Sequence, residues 1–158
     1  MSIELIQKVQ VHDNNNIKGF FGEYRWLSNF HVCTIFDARN NRVYSSTEAA
    51  YMAQKTLSSI IRDKFETLSP KDARKYGQEI RLRHDWEQIK LKVMYEVNLE
   101  KFTRHKDLRQ KLIDTGHKYL EETNWWNDRY WGAHFGDGQN NLGKILMYIR
   151  EGLKNGYF

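Results

Sequence analysis

The sequence predicts a predominantly helical α+β fold with a small antiparallel β-sheet near the N-terminus. Three observations indicate it: short β-branched and aromatic segments fill the first 45 residues, helical periodicity dominates from Ser46 onward, and no linker or internal repeat divides the 158 residues. A chain of this length can bury a core without disulfides or metals. We therefore expect one domain spanning 1–158.

The strand and turn signals lie in the N-terminal part of the chain. β-Branched and aromatic residues dominate these segments, and asparagine-rich runs separate them. In chain order the predicted elements are a strand at 3–11, a turn at 13–16, an extended run at 19–24 and a strand at 31–38. The run "RNNR" at 39–42 then predicts a hairpin that returns through Val43 and Tyr44.

Helix start and stop signals mark the rest of the chain. Ser69 followed by Pro70 is typical of an N-cap with proline at the first helical position. Asp85 precedes a long run at 86–102 whose apolar residues recur at helical spacing. A further helix ends before Gly116, which suits the left-handed position after a helix.

Composition and charge limit the classes of partner. The net charge of +5 indicates an anionic partner, and a nucleic acid, a phosphorylated metabolite and an acidic protein all remain open. No uncharged apolar run approaches the roughly 18 residues of a membrane span, so no membrane partner is expected. The single cysteine, Cys33, and the lack of a secretory signal favour a cytoplasmic protein.

The segment "GQNNLGKI" at 138–145 nearly matches a phosphate-binding P-loop. Ile145 stands where the motif requires Ser or Thr for Mg²⁺, which argues against an NTPase. A glycine-bearing loop that enters a helix can still present backbone N–H groups to an anion, and an ordinary loop is the alternative. The six histidines form no metal-binding pattern, so neither a metal nor a cofactor is expected.

Glu48 is the first candidate site residue. Ser45 and Glu48 fit a capping box, in which Glu48 would only cap a helix. The residues 46–61, however, form a helical pattern that is apolar nearly all round and is therefore predicted to be buried. On that helix Glu48 and Lys55 share one face, roughly 10.5 Å apart along the axis, and a polar ligand between them would satisfy both. The alternative is a cap at Glu48 and a lysine that extends to water.

An aromatic loop at 124–139, followed by a predicted final helix at 140–156, is the second candidate. Trp131 and its aromatic neighbours can stack on planar groups such as nucleobases. Asp128 lies among them as a second carboxylate. The alternative is a hydrophobic cluster that only seals the loop.

Five motifs in one order carry a resemblance to a known family. They are "FFGEYRWLSNF" (20–30), "VYSSTEAAYMAQK" (43–55), "KFTRHKDLRQKLIDTG" (101–116), "DRYWG" (128–132) and "GQNNLGKILMYIR" (138–150). Each motif alone is weak, but five in this order are specific, and they cover about 19–150. Together they resemble the NADAR family.

The resemblance implies a mainly helical fold and an enzyme, an N-glycosidase that hydrolyses the bond between ribose and a nitrogenous ring. It implies catalytic roles for Glu48 and Asp128. Its motifs assign substrate binding to Gly22, Glu23, Asn29, Lys55, Trp131, Gly132, Asn140 and Lys144. Cleavage of an N-riboside passes through an oxocarbenium-like state, which carboxylates can assist by analogy with glycoside hydrolysis.

Two departures from the family pattern leave the substrate open. Ala49 stands where many members have His, and Gln78 stands where many have Arg. The resemblance implies either phosphorylated riboflavin-pathway intermediates or ADP-ribosylated guanine in DNA. We expect a small phosphorylated or ADP-ribosyl compound, with ADP-ribosylated single-stranded DNA as the second candidate. The alternative function is a module that binds ADP-ribose or NAD without cleaving it.

Overall fold

The computed structural model describes residues 15–158. The strand predicted at 3–11 and the first part of the turn predicted at 13–16 lie outside these residues. The chain divides into two compact units. We call Asn29–Lys101 the central unit, and the residues up to Ser28 together with Phe102–Phe158 the terminal unit. Helices dominate both units, which agrees with the predicted α+β class.

A β-hairpin opens the central unit, as predicted. Strand β2, Val32–Asp37, pairs antiparallel with β3, Arg42–Ser46. In the connecting turn Asn41 has a φ of 50°, a left-handed conformation that asparagine tolerates better than most residues. The Asp37 carboxylate accepts a hydrogen bond from the side-chain amide of Asn40 at 2.6 Å and so closes the turn.

Helices make up the rest of the central unit. They are α1, Thr47–Ala53; α2, Ser59–Phe65; α3, Pro70–Glu79; and α4, Trp86–Arg104, whose last residues belong to the terminal unit. Helix α3 begins as predicted, since Ser69 is its N-cap and accepts the N–H of Asp72 at 3.1 Å. Helix α4 confirms the long helix predicted after Asp85.

The continuous buried helix predicted over residues 46–61 is wrong beyond Ala53, where α1 ends. The Arg62 Nε donates to the carbonyl oxygens of Ala53 at 3.3 Å and Thr56 at 2.9 Å. These bonds satisfy carbonyls that another helical turn would otherwise use. Every residue of α1 is buried, whereas Ile60 is 74% exposed. The apolar pattern therefore continues past the point where the helix stops.

Two short parallel strand pairs lie in the terminal unit, and the sequence pattern did not predict them. Strand β1, Ile17–Lys18, pairs with β4, Leu120–Glu121. Strand β5, Thr123–Asn124, pairs with β6, Ala133–His134. The predicted antiparallel sheet is therefore only the hairpin of the central unit.

Residues 19–24 do not form the predicted extended run, because Gly22–Leu27 is a 3₁₀ helix. Gly22 has a φ of 58°, a conformation that glycine adopts without the steric penalty of a side chain. The turn that begins there brings Leu27 into a fully buried position. Aromatic content alone misled the prediction at this point.

Helices α5, Lys106–Asp114, and α6, Asn141–Lys154, complete the terminal unit. Gly116 follows α5 with a φ of 64°, as predicted. The buried Arg150 of α6 donates to Thr115 Oγ1 at 2.9 Å and so fixes the turn after α5. None of the helices within residues 15–158 is long and apolar enough to cross a membrane.

Candidate active site

The N-cap of α1 decides what Glu48 does at this helix end. Ser46 is the cap, and its Oγ accepts the N–H of Ala49 at 3.1 Å. A capping box needs a glutamate three residues after the cap, and that position is Ala49. The box considered between Ser45 and Glu48 is therefore excluded. The Glu48 carboxylate must be explained by something other than this cap.

Asn29 holds the same helical turn from outside the helix. Its carbonyl oxygen accepts the Glu48 N–H at 3.0 Å and the Thr47 hydroxyl at 3.2 Å. Asn29 is itself buried. This predicted substrate-binding residue thus lies next to Glu48 in the central unit and supports its backbone.

Lys55 does not lie on the helix face that was predicted for it. It lies two residues past the end of α1, so the two side chains do not share a face of one helix. Its Nζ donates to the Gly77 carbonyl at 3.3 Å, which excludes a lysine that only extends to water. Glu48 is 6% exposed, and its charge favours the protonated form of Lys55. The negative charge of the buried Glu48 therefore acts on the half-buried ammonium of Lys55.

Burial lowers the pKa of Lys55 below its ordinary value of 10.5, while Glu48 opposes this change and Arg74 adds to it. The folded protein thus holds this proton less tightly than the unfolded chain does. Between the lowered pKa and 10.5 the unfolded chain binds more protons, so the free energy of unfolding rises with pH in that window. Below the window the contribution of Lys55 is constant and unfavourable.

We expect Lys55→Met to remove this dependence, because methionine keeps an apolar stem and cannot be protonated. Urea unfolding at a series of pH values from about 7 to about 11 measures the difference. Relative to the variant, the wild-type protein should become more stable as the pH rises. The control is Lys71→Met, which removes an exposed lysine of α3. Parallel stability curves for wild type and Lys55→Met would show that the pKa of Lys55 is not lowered.

Asp128, the second predicted catalytic carboxylate, begins a tight turn in the terminal unit. Its Oδ1 accepts the N–H groups of Tyr130 at 3.1 Å and Trp131 at 2.9 Å. The side chain of Asn124 accepts the Asp128 N–H at 2.9 Å and donates to its carbonyl at 2.7 Å. One carboxylate oxygen therefore shapes the loop, and Oδ2 takes no part in these bonds.

The start of α6 does not provide the anion site considered from "GQNNLGKI". The N–H groups of Asn141 and Leu142 donate to the carbonyls of Tyr130 at 3.3 Å and Trp131 at 3.0 Å. Backbone donors that an anion would need are already bonded to the aromatic loop. The helix start thus anchors that loop.

Asn140 and Gly132 have structural contacts of the same kind. Asn140 is buried, and its Nδ2 donates to the Leu120 carbonyl at 2.8 Å. At Gly132 a β-carbon would lie 2.1 Å from the Glu122 carbonyl oxygen, so no side chain fits there. These two predicted binding residues hold the loop against the strand region.

The remaining predicted residues of the terminal unit are more accessible. Trp131 is half-buried, and its ring meets that of Tyr130 edge-on with centroids 4.8 Å apart. Gly22 and Glu23 are exposed in the 3₁₀ helix, and Lys144 is half-buried in the first turn of α6.

The predicted site residues thus fall into two groups, one in each unit. The central unit contains Glu48, Asn29 and Lys55, of which Asn29 is bonded to the backbone of Glu48. In the terminal unit, Asp128, Trp131, Gly132 and Asn140 share the aromatic loop and the start of α6.

Sequence reasoning missed Gly77, Asn98 and Asn124. Gly77 receives the Lys55 hydrogen bond, and a β-carbon there would lie 2.9 Å from Cβ of Met52. A glycine inside a helix destabilises it by about 1 kcal/mol relative to alanine, so its presence in "KDARKYGQEI" was a usable signal. For Asn98 the usable signal was an uncharged amide directly after Val97 of the apolar stripe of α4.

A cavity of about 350 Å³ lies elsewhere in the central unit. Its lining includes Ile35, Ala50 of α1 and Gln54, which follows α1. Ala50 lies on a different face of the helix from Glu48. Its volume is within the range of small-molecule pockets. Since neither Glu48 nor Lys55 lines it, we assign it no part in catalysis.

Comparison with known proteins gives relatives over nearly the whole chain. The N-glycosidase YbiA of Escherichia coli is 33% identical over 155 residues, which are 93% of this chain and 94% of that protein. An N-glycosidase of Nostoc punctiforme is 36% identical over 119 residues, 71% of this chain and 76% of that protein. A riboflavin biosynthesis protein of Vibrio vulnificus is 35% identical over 138 residues, 82% of this chain but 35% of that longer protein.

The fold and a family model agree with these relatives. The NMR structure of Escherichia coli YbiA matches with a TM-score of 0.80 at 31% identity, covering 96% of this chain and 93% of that one. The chain is therefore a hydrolase of the class that acts on N-glycosyl bonds. The model of the NADAR domain matches residues 17–154, and the chain belongs to the NADAR family, as its five motifs indicated.

Proposed function

We propose that this chain hydrolyses the bond between a ribose, either phosphorylated or part of ADP-ribose, and a nitrogenous base. The observation that supports this most strongly is the setting of Glu48. Its carboxylate is 6% exposed, does not form the capping box and is electrostatically coupled to Lys55. Buried ionisable groups with a specific charge partner are candidates for catalysis.

The proposed chemistry separates the sugar from the base before water is added. As the bond from C1′ to nitrogen breaks, its electron pair leaves with the base and positive charge develops on the ribose. Glu48 stabilises this cation and accepts a proton from the water that adds to C1′. The departing nitrogen takes up a proton, which balances the one that the water gives up. Asp128 stays our second candidate for a catalytic carboxylate, because of its place in the family motif and by analogy with the paired carboxylates of glycoside hydrolases.

We further propose that the substrate carries a phosphate group. The net charge of +5 and the presence of a half-buried lysine, Lys55, in the same unit as Glu48 support this. The start of α6 no longer supports it, because its first N–H groups are bonded to carbonyls. A phosphate contact fixes the sugar relative to the carboxylate, and so aids the chemical step as well as binding.

A small compound is the favoured substrate. The basic residues form no stripe along the sequence that would match duplex nucleic acid. The Vibrio relative is named for riboflavin biosynthesis, and an intermediate of that kind is our first candidate. ADP-ribosylated guanine in single-stranded DNA is the second. A cytoplasmic location belongs to the same proposal, because the chain has one cysteine, Cys33.

The test compares the rates of base release, measured by mass spectrometry, from three substrates at two salt concentrations. They are a riboside 5′-phosphate, the same riboside without phosphate, and ADP-ribosylated guanine in single-stranded DNA. We expect the phosphorylated riboside to react at least about tenfold faster than its dephosphorylated form, with effects on both kcat and KM. Equal rates would contradict the phosphate contact. A preference for DNA that disappears at higher salt would identify a nucleic-acid substrate instead.

The alternative is a module that binds ADP-ribose or NAD without cleaving it. The exposed rings of Trp125 and Trp126 would serve such a module as stacking surfaces. The presence of both Glu48 and Asp128 favours the enzyme. Calorimetric binding of ADP-ribose without base release from any of the three substrates would establish the alternative.

A further inference from the structure

Asn98 of α4 is fully buried and is bonded to Asn29. Its Nδ2 donates to Asn29 Oδ1 at 3.2 Å and to the Met94 carbonyl at 3.0 Å. The Asn29 amide donates in turn to the Met94 sulfur at 3.2 Å. We call these three residues the amide cluster. All of them lie in the central unit, and none is accessible to solvent by more than a few per cent.

The amide cluster is connected to Glu48 by two successive hydrogen bonds. Asn98 fixes the side chain of Asn29, and the Asn29 carbonyl accepts the Glu48 N–H at 3.0 Å. The same carbonyl accepts the Thr47 hydroxyl, so it holds the first two residues of α1. The position of the Glu48 side chain depends on where this turn is held. A change at Asn98 therefore reaches Glu48 through Asn29.

The amide cluster contains polar groups that do not all find good hydrogen-bond partners, so stability alone does not account for it. Asn98 Oδ1 is buried and has no hydrogen-bond partner within residues 15–158. The Met94 carbonyl is an acceptor, so it fixes which end of the Asn98 amide faces it and leaves Oδ1 on the other side. The thioether that Asn29 faces is only a weak acceptor. A buried polar atom without a partner destabilises the folded state, and an apolar side chain of similar shape would remove that penalty.

We propose that Asn98 is a positioning residue for the reaction, which fixes Asn29 and thereby the helical turn that carries Glu48. The inference rests on the proposed function, in which Glu48 is catalytic. It explains why a partly satisfied amide occupies the buried side of α4: small displacements of a catalytic group from its productive position slow the reaction strongly. The amide cluster therefore fixes the position of the turn that carries Glu48, and it lowers the stability of the folded protein somewhat.

The main variant is Asn98→Leu, which keeps a similar volume and removes every bond of the amide. We expect its free energy of unfolding to stay close to that of the wild type, because the variant removes the unpaired Asn98 Oδ1 while Asn29 Oδ1 loses its donor. Its kcat should fall at least about tenfold while KM changes less than about threefold, because an orientation effect acts on the chemical step. The limb of the kcat–pH profile that depends on Glu48 should also move. A merely structural role would change stability and leave this profile unchanged.

A matched control is Asn40→Leu, which removes another amide of the central unit. Asn40 bonds to Asp37 and Arg62 at the hairpin turn and is not connected to the amide cluster. This variant should lose stability and keep its kcat. Asn29→Ala removes the same side-chain bond from the other partner and keeps the carbonyl. Its effect on kcat should match that of Asn98→Leu, and the double variant should be no slower than either, since both break one link.

Glu48→Gln in the same assay separates the two proposals. An inactive Glu48→Gln together with a stable, slow Asn98→Leu supports the inference. An inactive Glu48→Gln with wild-type kcat in both Asn98→Leu and Asn29→Ala overturns the inference and leaves the proposed function standing. A fully active Glu48→Gln overturns both. If Asn98→Leu does not fold, Asn29→Ala alone decides by its kcat and pH profile.

Discussion

Replacing Glu48 by glutamine should abolish turnover while the protein stays folded. The amide has the shape of the carboxylate but lacks its negative charge and its basicity, so it can neither stabilise a cationic ribose nor accept a proton from water. General base catalysis contributes about 100-fold to 10,000-fold to rates, and we expect a loss in that range. The helix start should not change, because the backbone N–H of Glu48, and not its side chain, bonds to Asn29.

Single-turnover rates and calorimetric affinities measure this result. Substrate affinity should stay within about tenfold of wild type, since the lost interaction matters most in the transition state. The control is Glu87→Gln, which removes an exposed carboxylate of α4 that is paired with Lys90. It should retain both rate and affinity. A Glu48 variant with more than about a tenth of wild-type activity would show that Glu48 has a structural role only.

The sequence predicted those helices whose boundaries depend on local chemistry. The Ser69 cap and Pro70 start α3 within the same few residues that the sequence displays. Gly116 stops α5 because a left-handed residue is needed there. The hairpin between β2 and β3 followed from its turn residues in the same way. Each of these signals depends only on residues a few positions apart in the chain. It can therefore be recognised in the sequence without knowledge of the fold.

Boundaries that depend on distant groups could not be predicted. Helix α1 ends at Ala53, whose carbonyl accepts a hydrogen bond from the distant Arg62, and no glycine or proline near the helix end signals this in the sequence. The parallel pairing of Ile17 with Leu120 joins residues about a hundred positions apart through two-residue strands. Strands this short leave no alternating pattern in the sequence. Tertiary contacts decided these features.

In the candidate site, too, local features could be predicted and features that depend on tertiary contacts could not. A buried carboxylate at Glu48 followed from the apolar pattern around it, and the structure confirms its burial. The capping box predicted between Ser45 and Glu48 was wrong by one residue, because the N-cap is Ser46 and its Oγ accepts the Ala49 N–H. A shared helix face for Glu48 and Lys55 was predicted, but α1 ends before Lys55. The Lys55 ammonium is held instead by its hydrogen bond to the Gly77 carbonyl of α3.

Asp128 has two oxygens, and one of them already has a structural function. Oδ1 holds the N–H groups of Tyr130 and Trp131, and the carbonyls of these two residues hold the start of α6. Loss of this oxygen would therefore disturb the loop and the helix end together. A test of the proposed catalytic role must remove the charge of Asp128 and keep its Oδ1.

Asp128→Asn meets this condition. We expect it to fold normally and to hydrolyse substrate at least about 100-fold more slowly than the wild type. The amide oxygen can still accept both N–H groups, so the circular dichroism spectrum and the melting temperature should match the wild type. Asp128→Ala should lose activity and also lower the melting temperature, because it removes the turn contacts. The control is Asp137→Asn, which takes one exposed negative charge, paired with Arg129, from the same loop and should leave the rate unchanged. If Asp128→Asn keeps the wild-type rate and only Asp128→Ala loses it, Asp128 shapes the loop, and the proposed reaction depends on Glu48 as its carboxylate.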